Sequence, residues 1–183
     1  APGEVVDCLR RDFSRMKSSS KASVFLTKRT ANNRRLNWIR QAFPDARFIH
    51  LVRDGREVAF SLSKVNFWQD HTVWWTGRKP GEMEAEGWDP LRICAKNWVE
   101  DVKAVEQGLQ GVDTEKLLEL RYEQLLMNCE ATLADICQFL GLAPTKAFVE
   151  AVRSLSLAAR APKWRGVWSD AQLETVLDEQ GDM

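Results

Sequence analysis

The chain has 183 residues, 44% hydrophobic and 28% charged, with only 10 Gly and 6 Pro, a composition that excludes disorder and suits one globular domain with a sizeable core. Its formal net charge of zero argues against a nonspecific nucleic-acid coat. No apolar run approaches the roughly 20 residues that cross a bilayer, and the first residues lack a signal peptide's basic and apolar regions, so a cytoplasmic location is the expectation.

From the N-terminus, Val5, Val6, Leu9, Phe13 and Met16 recur at three- and four-residue intervals, which predicts a helix over Glu4 to Met16 that ends at Ser18-Ser19-Ser20. Ser23 to Thr27 reads as a short apolar strand, followed by the basic, polar loop Lys28 to Asn32. A helix is expected from about Asn33 to Phe43, stopped by Pro44-Asp45. Phe48 to Val52 then reads as a strand buried on both faces, and Asp54-Gly55 opens a further helix. Strand, helix, strand and helix in this order predict an α/β fold with a parallel sheet. Both basic turns, Lys28 to Asn32 and Arg53 to Arg56, should then open on the sheet edge where such folds bind ligands.

From Asn66 to Trp88 the periodicity dissolves into an aromatic-rich stretch containing Trp68, Trp74, Trp75 and His71. A lid or binding surface and a small aromatic core are both compatible with it. A long helix over Leu91 to Leu109, a strand over Lys116 to Leu120, and helices over Glu130 to Leu140, Thr145 to Leu155 and Asp170 to Leu177 complete the chain, the last capped by Ser169. The whole, residues 1–183, reads as a single domain, with 66–90 as the aromatic loop and 128–183 as a helical C-terminal part. Cys8, Cys94, Cys129 and Cys137 show no metal-ligand spacing and are read as reduced and mostly buried.

The turn after the Phe48 to Val52 strand holds the chemistry. Helix-opening N–H groups lack partners inside the helix and attract anions, phosphate above all. Arg53 stands at the strand end, and Ser61, eight residues on, borders the apolar stripe of Val58, Leu62 and Val65. A guanidinium and a hydroxyl can grip one phosphate from two directions. The alternatives are that Arg53 pairs with Asp54 or Glu57, that Asp54 is an N-cap, and that Ser61 bonds back to the Glu57 carbonyl. Charge is unevenly spread: residues 1–79 carry 16 Lys and Arg against 7 Asp and Glu, and residues 80–183 carry 10 against 19. A local basic cleft for a small polyanion and solvated helix faces with spare arginines both fit that imbalance.

Arg53-Asp54-Gly55-Arg56 with Ser61, preceded by Phe43-Pro44-Asp45-Ala46-Arg47-Phe48-Ile49, resembles the 3′-phosphate-binding segment of sulfotransferases that use 3′-phosphoadenosine 5′-phosphosulfate (PAPS). Lys28-Arg29-Thr30-Ala31-Asn32 is similar to the Glu-Lys-Thr-Pro-Ala-Asn segment of the bacterial-type branch, and Leu120-Arg121-Tyr122-Glu123-Gln124-Leu125 to its Leu-Arg-Tyr-Glu-Asp-Leu segment. Ala131 to Leu142 and Lys163 to Ser169 match later segments in the same order.

The resemblance implies a P-loop-kinase-like sulfotransferase fold, a parallel sheet flanked by helices, and transfer of a sulfuryl group from PAPS to an acceptor hydroxyl or amine without a metal. By position Arg53 and Ser61 would hold the 3′-phosphate, Tyr122 would lie beside the adenine, Arg160 or Arg165 would add a phosphate contact, and Lys28 would neutralise charge on the phosphosulfate. Implied partners are the nucleotide donor and a small-molecule, lipid or carbohydrate acceptor, with no nucleic acid and no membrane span. An exposed sheet edge would favour a homo-oligomer.

The family's glycine-rich phosphosulfate loop has no counterpart before Val24, so the chain is expected to be the C-terminal part of a longer protein or a member that has lost the loop. Thr27 stands where the bacterial-type branch has glutamate, and no histidine follows Lys28. His50, mid-strand, is expected to be packed and His71 exposed; neither is assigned as a base, and Glu123 is read as a cap or a partner of Arg121. A noncatalytic nucleotide-binding or assembly module is the alternative function, and a P-loop kinase relative is disfavoured by the missing loop.

Overall fold

The structure is a computed structural model that describes residues 2–20, 22–154 and 162–181. Helix α1 (Pro2–Ser19) forms where the three- and four-residue spacing predicts it. The hydroxyls of Ser19 and Ser20 donate to the Met16 carbonyl at 3.1 and 2.8 Å and draw the chain out of the helix. On its apolar face Phe13 stacks on Phe25 and Phe43, with ring centres 4.5 and 5.3 Å away.

Ser23 to Thr27 is not a strand. A strand persists by exchanging main-chain hydrogen bonds with a neighbour, and among the described residues the sheet has two strands that pair with each other. Residues 23–27 therefore run as irregular chain, with Phe25 held by Phe13 and Leu26 72% exposed. The helix expected from Asn33 is also displaced. Thr30–Arg34 forms a 3₁₀ turn, and α2 (Leu36–Ala42) begins after it and stops at Phe43, ahead of Pro44.

Strands β1 (Phe48–Val52) and β2 (Leu117–Arg121) pair in parallel, with Phe48 opposite Leu117 and Val52 opposite Arg121. The parallel sheet flanked by helices is as expected, but its crossover runs from β1 to β2 rather than into β1. Neither strand is buried on both faces: Leu51 is 45% exposed. Phe48 and Leu117 pack instead on the small core of Leu36, Val105 and Leu109.

Helix α3 (Gly55–Leu62) follows β1 directly. In the aromatic stretch a 3₁₀ turn at Trp68–Asp70, an antiparallel bridge from Val73 to Arg78 and a short helix α4 (Pro80–Ala85) drive Trp68, Val73 and Met83 inward. With Ala59, Ile93, Cys94, Ala95 and Val176 these residues form the main core. Of the two readings of 66–90, the core reading describes Trp68, Val73 and Met83, while Trp74 and Trp88 keep faces toward solvent.

Helix α5 (Pro90–Leu109) is the backbone of the domain. Asp89 accepts from the N–H groups of Leu91 and Arg92, both at 2.9 Å, and Pro90 occupies the first helical position, where its missing N–H costs nothing. After β2 come α6 (Tyr122–Met127), α7 (Cys129–Leu140) and α8 (Lys146–Ser154). Helix α7 ends on Gly141, whose φ of 70° suits a residue without a Cβ. The last helix, α9 (Asp170–Gln180), is capped by Ser169 as expected, with Gln172 completing a reciprocal box. Lys96 and Arg92 of α5 hold Glu179 of α9 at 2.9 and 3.3 Å. All four cysteines are free; Cys94 and Cys137 are buried, whereas Cys8 is exposed.

Candidate functional site

Because β1 and β2 run parallel with Val52 opposite Arg121, the residues that follow each strand leave the sheet side by side. The Arg53 guanidinium carbon lies 5.0 Å from the centre of the Tyr122 ring, a cation–π contact that fixes where the charge sits. Arg53 donates from Nη2 to Glu57 Oε2 at 2.8 Å. The other Glu57 oxygen, Oε1, accepts the main-chain N–H of Lys163 at 2.6 Å. One carboxylate thus touches both the sheet edge and a segment more than a hundred residues later.

Asp54 is the N-cap that the sequence allowed. Its carboxylate accepts from Arg56 N–H at 2.9 Å and is gripped by the Arg56 guanidinium at 3.0 and 2.6 Å. Burial pushes the Asp54 carboxyl up, but the Arg56 side chain, the Arg56 and Glu57 N–H groups and the Arg56 charge together outweigh it and hold the group below its ordinary value. The Arg56 and Glu57 N–H groups of the first turn of α3 are therefore occupied by Asp54 rather than open to an anion.

Asp54 N–H donates to Glu123 Oε1 at 2.9 Å. Glu123 is thus a cap across the strand ends, not a partner of Arg121. The Arg56 guanidinium lies 5.0 Å from the centre of the Trp164 ring, and Arg165 lies 5.4 Å from the same ring. Trp168 stacks on Trp164 at 6.0 Å and meets Phe60 of α3 edge-on. Trp164 is buried, and its indole N–H has no partner among the described residues.

The structure thus gathers Arg53, Tyr122 and the segment bearing Arg165 around the end of β1. Ser61 stands apart, exposed near the end of α3, and its hydroxyl makes no hydrogen bond among the described residues, neither to the Glu57 carbonyl nor to Arg53. Lys28 is exposed in the irregular stretch before the 3₁₀ turn, and no hydrogen bond or ion pair among the described residues joins it to the Arg53 cluster. That turn packs on α5 instead, where Arg34 lies 5.5 Å from the Trp74 ring centre. The expected convergence of both basic turns depended on Ser23 to Thr27 being a strand, and that strand is absent. Arg160 lies outside the described residues. His50 is packed, 3.3 Å from Glu119, and His71 is exposed against Trp68.

A capping Glu123 and an Arg53–Glu57 pair are among the sequence expectations, but the group that Glu123 caps, Asp54 N–H, and the contact of Glu57 to Lys163 are not. The i,i+4 spacing of Arg53 and Glu57 signals their pair. Nothing local signals the rest, since the Glu123 contact to Asp54 requires the strand register and the Glu57 contact to Lys163 joins segments more than a hundred residues apart.

A family profile described as the sulfotransferase family matches residues 7–146. The chain belongs to the sulfotransferase family. It is 26% identical over 128 residues to the omega-hydroxy-beta-dihydromenaquinone-9 sulfotransferases Stf3 of Mycobacterium bovis and Mycobacterium tuberculosis, covering 70% of this chain and 31% of each relative. The chain thus spans about a third of the length of the curated relatives it matches. The fold resembles the sulfotransferase domain from the curacin biosynthetic pathway, with a TM-score of 0.63 over 92% of this chain and 66% of that one, at 13% identity. No helix among the described residues is long and apolar enough to cross a membrane.

Proposed function

We propose that this chain carries the 3′-phosphate half of a PAPS site and that the protein it represents transfers a sulfuryl group to an acceptor hydroxyl. The observation that carries the reading is Arg53, seated over Tyr122 at the ends of two adjacent parallel strands. A guanidinium has five N–H donors, and the contact to Glu57 uses Nη2, which leaves its other nitrogens for a phosphate. Ser61, exposed near the end of α3, would turn its unbonded hydroxyl to the same phosphate, Tyr122 would offer a ring face to the adenine, and Arg165 or Arg160 would bring a second cation. Lys28 is the proposed group for neutralising the phosphosulfate, although it stands on a stretch that no hydrogen bond or ion pair among the described residues joins to the Arg53 cluster.

In the reaction so proposed, the acceptor oxygen forms a bond to sulfur while the bond from sulfur to the phosphate oxygen breaks. The leaving adenosine 3′,5′-bisphosphate keeps the electron pair, and the acceptor's proton passes to a base. Cations near the leaving phosphate favour this step because negative charge grows there. Acceptor hydroxyl as the class follows the name of the mycobacterial relatives, whose printed acceptor is an omega-hydroxy menaquinone derivative; small, lipid and carbohydrate alcohols are the candidates.

Titration calorimetry of adenosine 3′,5′-bisphosphate against 5′-AMP tests the site. The bisphosphate should bind more tightly by about tenfold or more, the worth of a charge-assisted hydrogen-bond pair, and Arg53→Ala should erase the difference. Equal affinity for the two nucleotides would overturn the assignment.

A further inference from the structure

Glu57 accepts hydrogen bonds from two groups that the chain keeps far apart. Its Oε2 takes Arg53 Nη2 at 2.8 Å and its Oε1 takes Lys163 N–H at 2.6 Å. The Glu57 side chain is 13% exposed, while its partners Arg53 and Lys163 reach solvent. Lys163 opens a turn in which the Pro162 carbonyl accepts Arg165 N–H at 3.2 Å. The next residue, Trp164, is buried under Arg56 and packs on Trp168. Fixing the Lys163 N–H therefore fixes the start of the segment that presents Arg165.

We infer that Glu57 is a positioning residue that couples the seating of residues 162–168 to the orientation of Arg53, so that anion capture at Arg53 and ordering of that segment strengthen each other. The inference rests on the nucleotide reading of the Arg53 site. Its physical basis is that Glu57 holds one edge of the Arg53 guanidinium while Tyr122 holds its face, leaving the remaining N–H groups aimed away from the carboxylate. Without Glu57 the guanidinium can rotate off Tyr122 or fold back onto Asp54. The Lys163 N–H also loses its acceptor, and the turn carrying Trp164 and Arg165 loses its anchor. A phosphate bound at Arg53 reinforces the existing polarity, since the guanidinium then lies between two anions and is held from both sides. Arg53 in that position pulls Glu57, and Glu57 holds Lys163.

The decisive variant is Lys163→Pro. Lys163 occupies the second position of the turn, where proline is well accommodated, so the change deletes the N–H and the Lys163 charge while leaving Glu57, Arg53 and Arg165 in place, and Lys163→Ala, which keeps the N–H, is the control for the charge. Glu57→Gln is its companion: an amide has one acceptor oxygen and can satisfy Arg53 or Lys163, not both. The measurements are the ratio of bisphosphate to 5′-AMP affinity by calorimetry, and the hydrogen exchange of residues 162–168 with and without adenosine 3′,5′-bisphosphate.

In the wild type, bisphosphate should slow exchange in 162–168. Lys163→Pro and Glu57→Gln should both lose most of that protection and reduce the affinity ratio by about tenfold, the effect of one charge-assisted hydrogen bond. A purely structural Glu57 would lower the melting temperature and leave the ratio and the ligand-induced protection alone; that result in a folded Lys163→Pro protein overturns the coupling. If the wild type does not distinguish the nucleotides, the nucleotide reading fails, and the loss of Lys163 amide protection in unliganded Glu57→Gln still decides whether the clip exists.

Discussion

Trp74 donates its indole N–H to Asp101 of α5 at 3.1 Å, and Arg34 lies over the same indole ring. This pins the half-exposed end of the aromatic stretch to the helix that organises the domain. Burial pushes the Asp101 carboxyl up, and the Trp74 hydrogen bond, the Arg34 charge and the amides of Asn33 and Asn97 only partly offset that cost. A folded-state value above 3.8 means that the folded chain holds this proton more tightly than the unfolded one. The associated stability is complete below 3.8 and is lost as the pH rises through the raised value. Melting temperatures measured across that window should fall less steeply for Asp101→Asn than for the wild type; identical slopes would show that Asp101 is not the titrating group.

Asp54 titrates in the opposite sense. Its folded value lies below 3.8, so the stability it contributes is present above 3.8 and disappears as the pH falls through the depressed value. Asp54→Ala loses the cap on α3 as well as the partner of Arg56, and removal of a cap alone costs about 1 kcal/mol. Asp54→Asn keeps a good capping side chain and removes only the charge. Urea denaturation at neutral pH should therefore rank wild type above Asn above Ala, with wild type and Asn converging in acid while Ala, which has no capping group, stays below both. An alanine variant as stable as the wild type at neutral pH would contradict the capping geometry.

The parts of the fold legible in the sequence are those whose cause is local. Helices α1, α5 and α9 follow from three- and four-residue spacing with Pro90 and Ser169 marking two of their starts, and β1 and β2 from short apolar runs. Ser23 to Thr27 has the same apolar character as β1, yet a strand also needs a neighbour, and a local pattern does not supply one. The aromatic stretch of 66–90 has no periodicity to read because its inward residues are set by an isolated bridge and a 3₁₀ turn. At the site, Arg53 was visible as a cation at a strand end. Its neighbour Tyr122, and the Glu123 contact to Asp54, are products of parallel register between segments about seventy residues apart. Trp164 beneath Arg56 and the Glu57 contact to Lys163 are longer-range still.

Gly108 lies against Leu36 so closely that a Cβ there would stand 2.7 Å from the Leu36 Cβ. Replacing a helical glycine with alanine ordinarily gains up to about 1 kcal/mol of helix propensity. Here the obstructing atom is next to the Leu36 main chain and cannot swing aside, and overpacking of this kind costs about 1–3 kcal/mol. Gly108→Ala should therefore destabilise, and Leu36→Gly, which removes the obstructing Cβ, should cost less in that variant than in the wild type, whereas Leu36→Ala keeps the clash. A stabilised Gly108→Ala protein would mean that α2 can shift away from α5.

Met83 is fully buried between the aromatic stretch and α5, in the cluster that includes Ala59 of α3 and Val176 of α9. Truncating such a side chain removes its transfer energy and leaves a cavity, together about 2–5 kcal/mol. Trp88, larger but 39% exposed, should cost much less when cut to alanine, since a partly exposed ring has less burial to lose. Denaturant midpoints for Met83→Ala and Trp88→Ala decide whether 66–90 is core or covering. A larger loss at Trp88 than at Met83 would reverse the assignment and make the stretch a surface whose anchoring lies outside the main core. Because Ala59 sits one turn along α3 from the Asp54 cap, Met83→Ala should also weaken any nucleotide binding at Arg53, and do so equally for adenosine 3′,5′-bisphosphate and 5′-AMP. Loss of support beneath α3 lowers the folded fraction without altering which phosphate the guanidinium prefers.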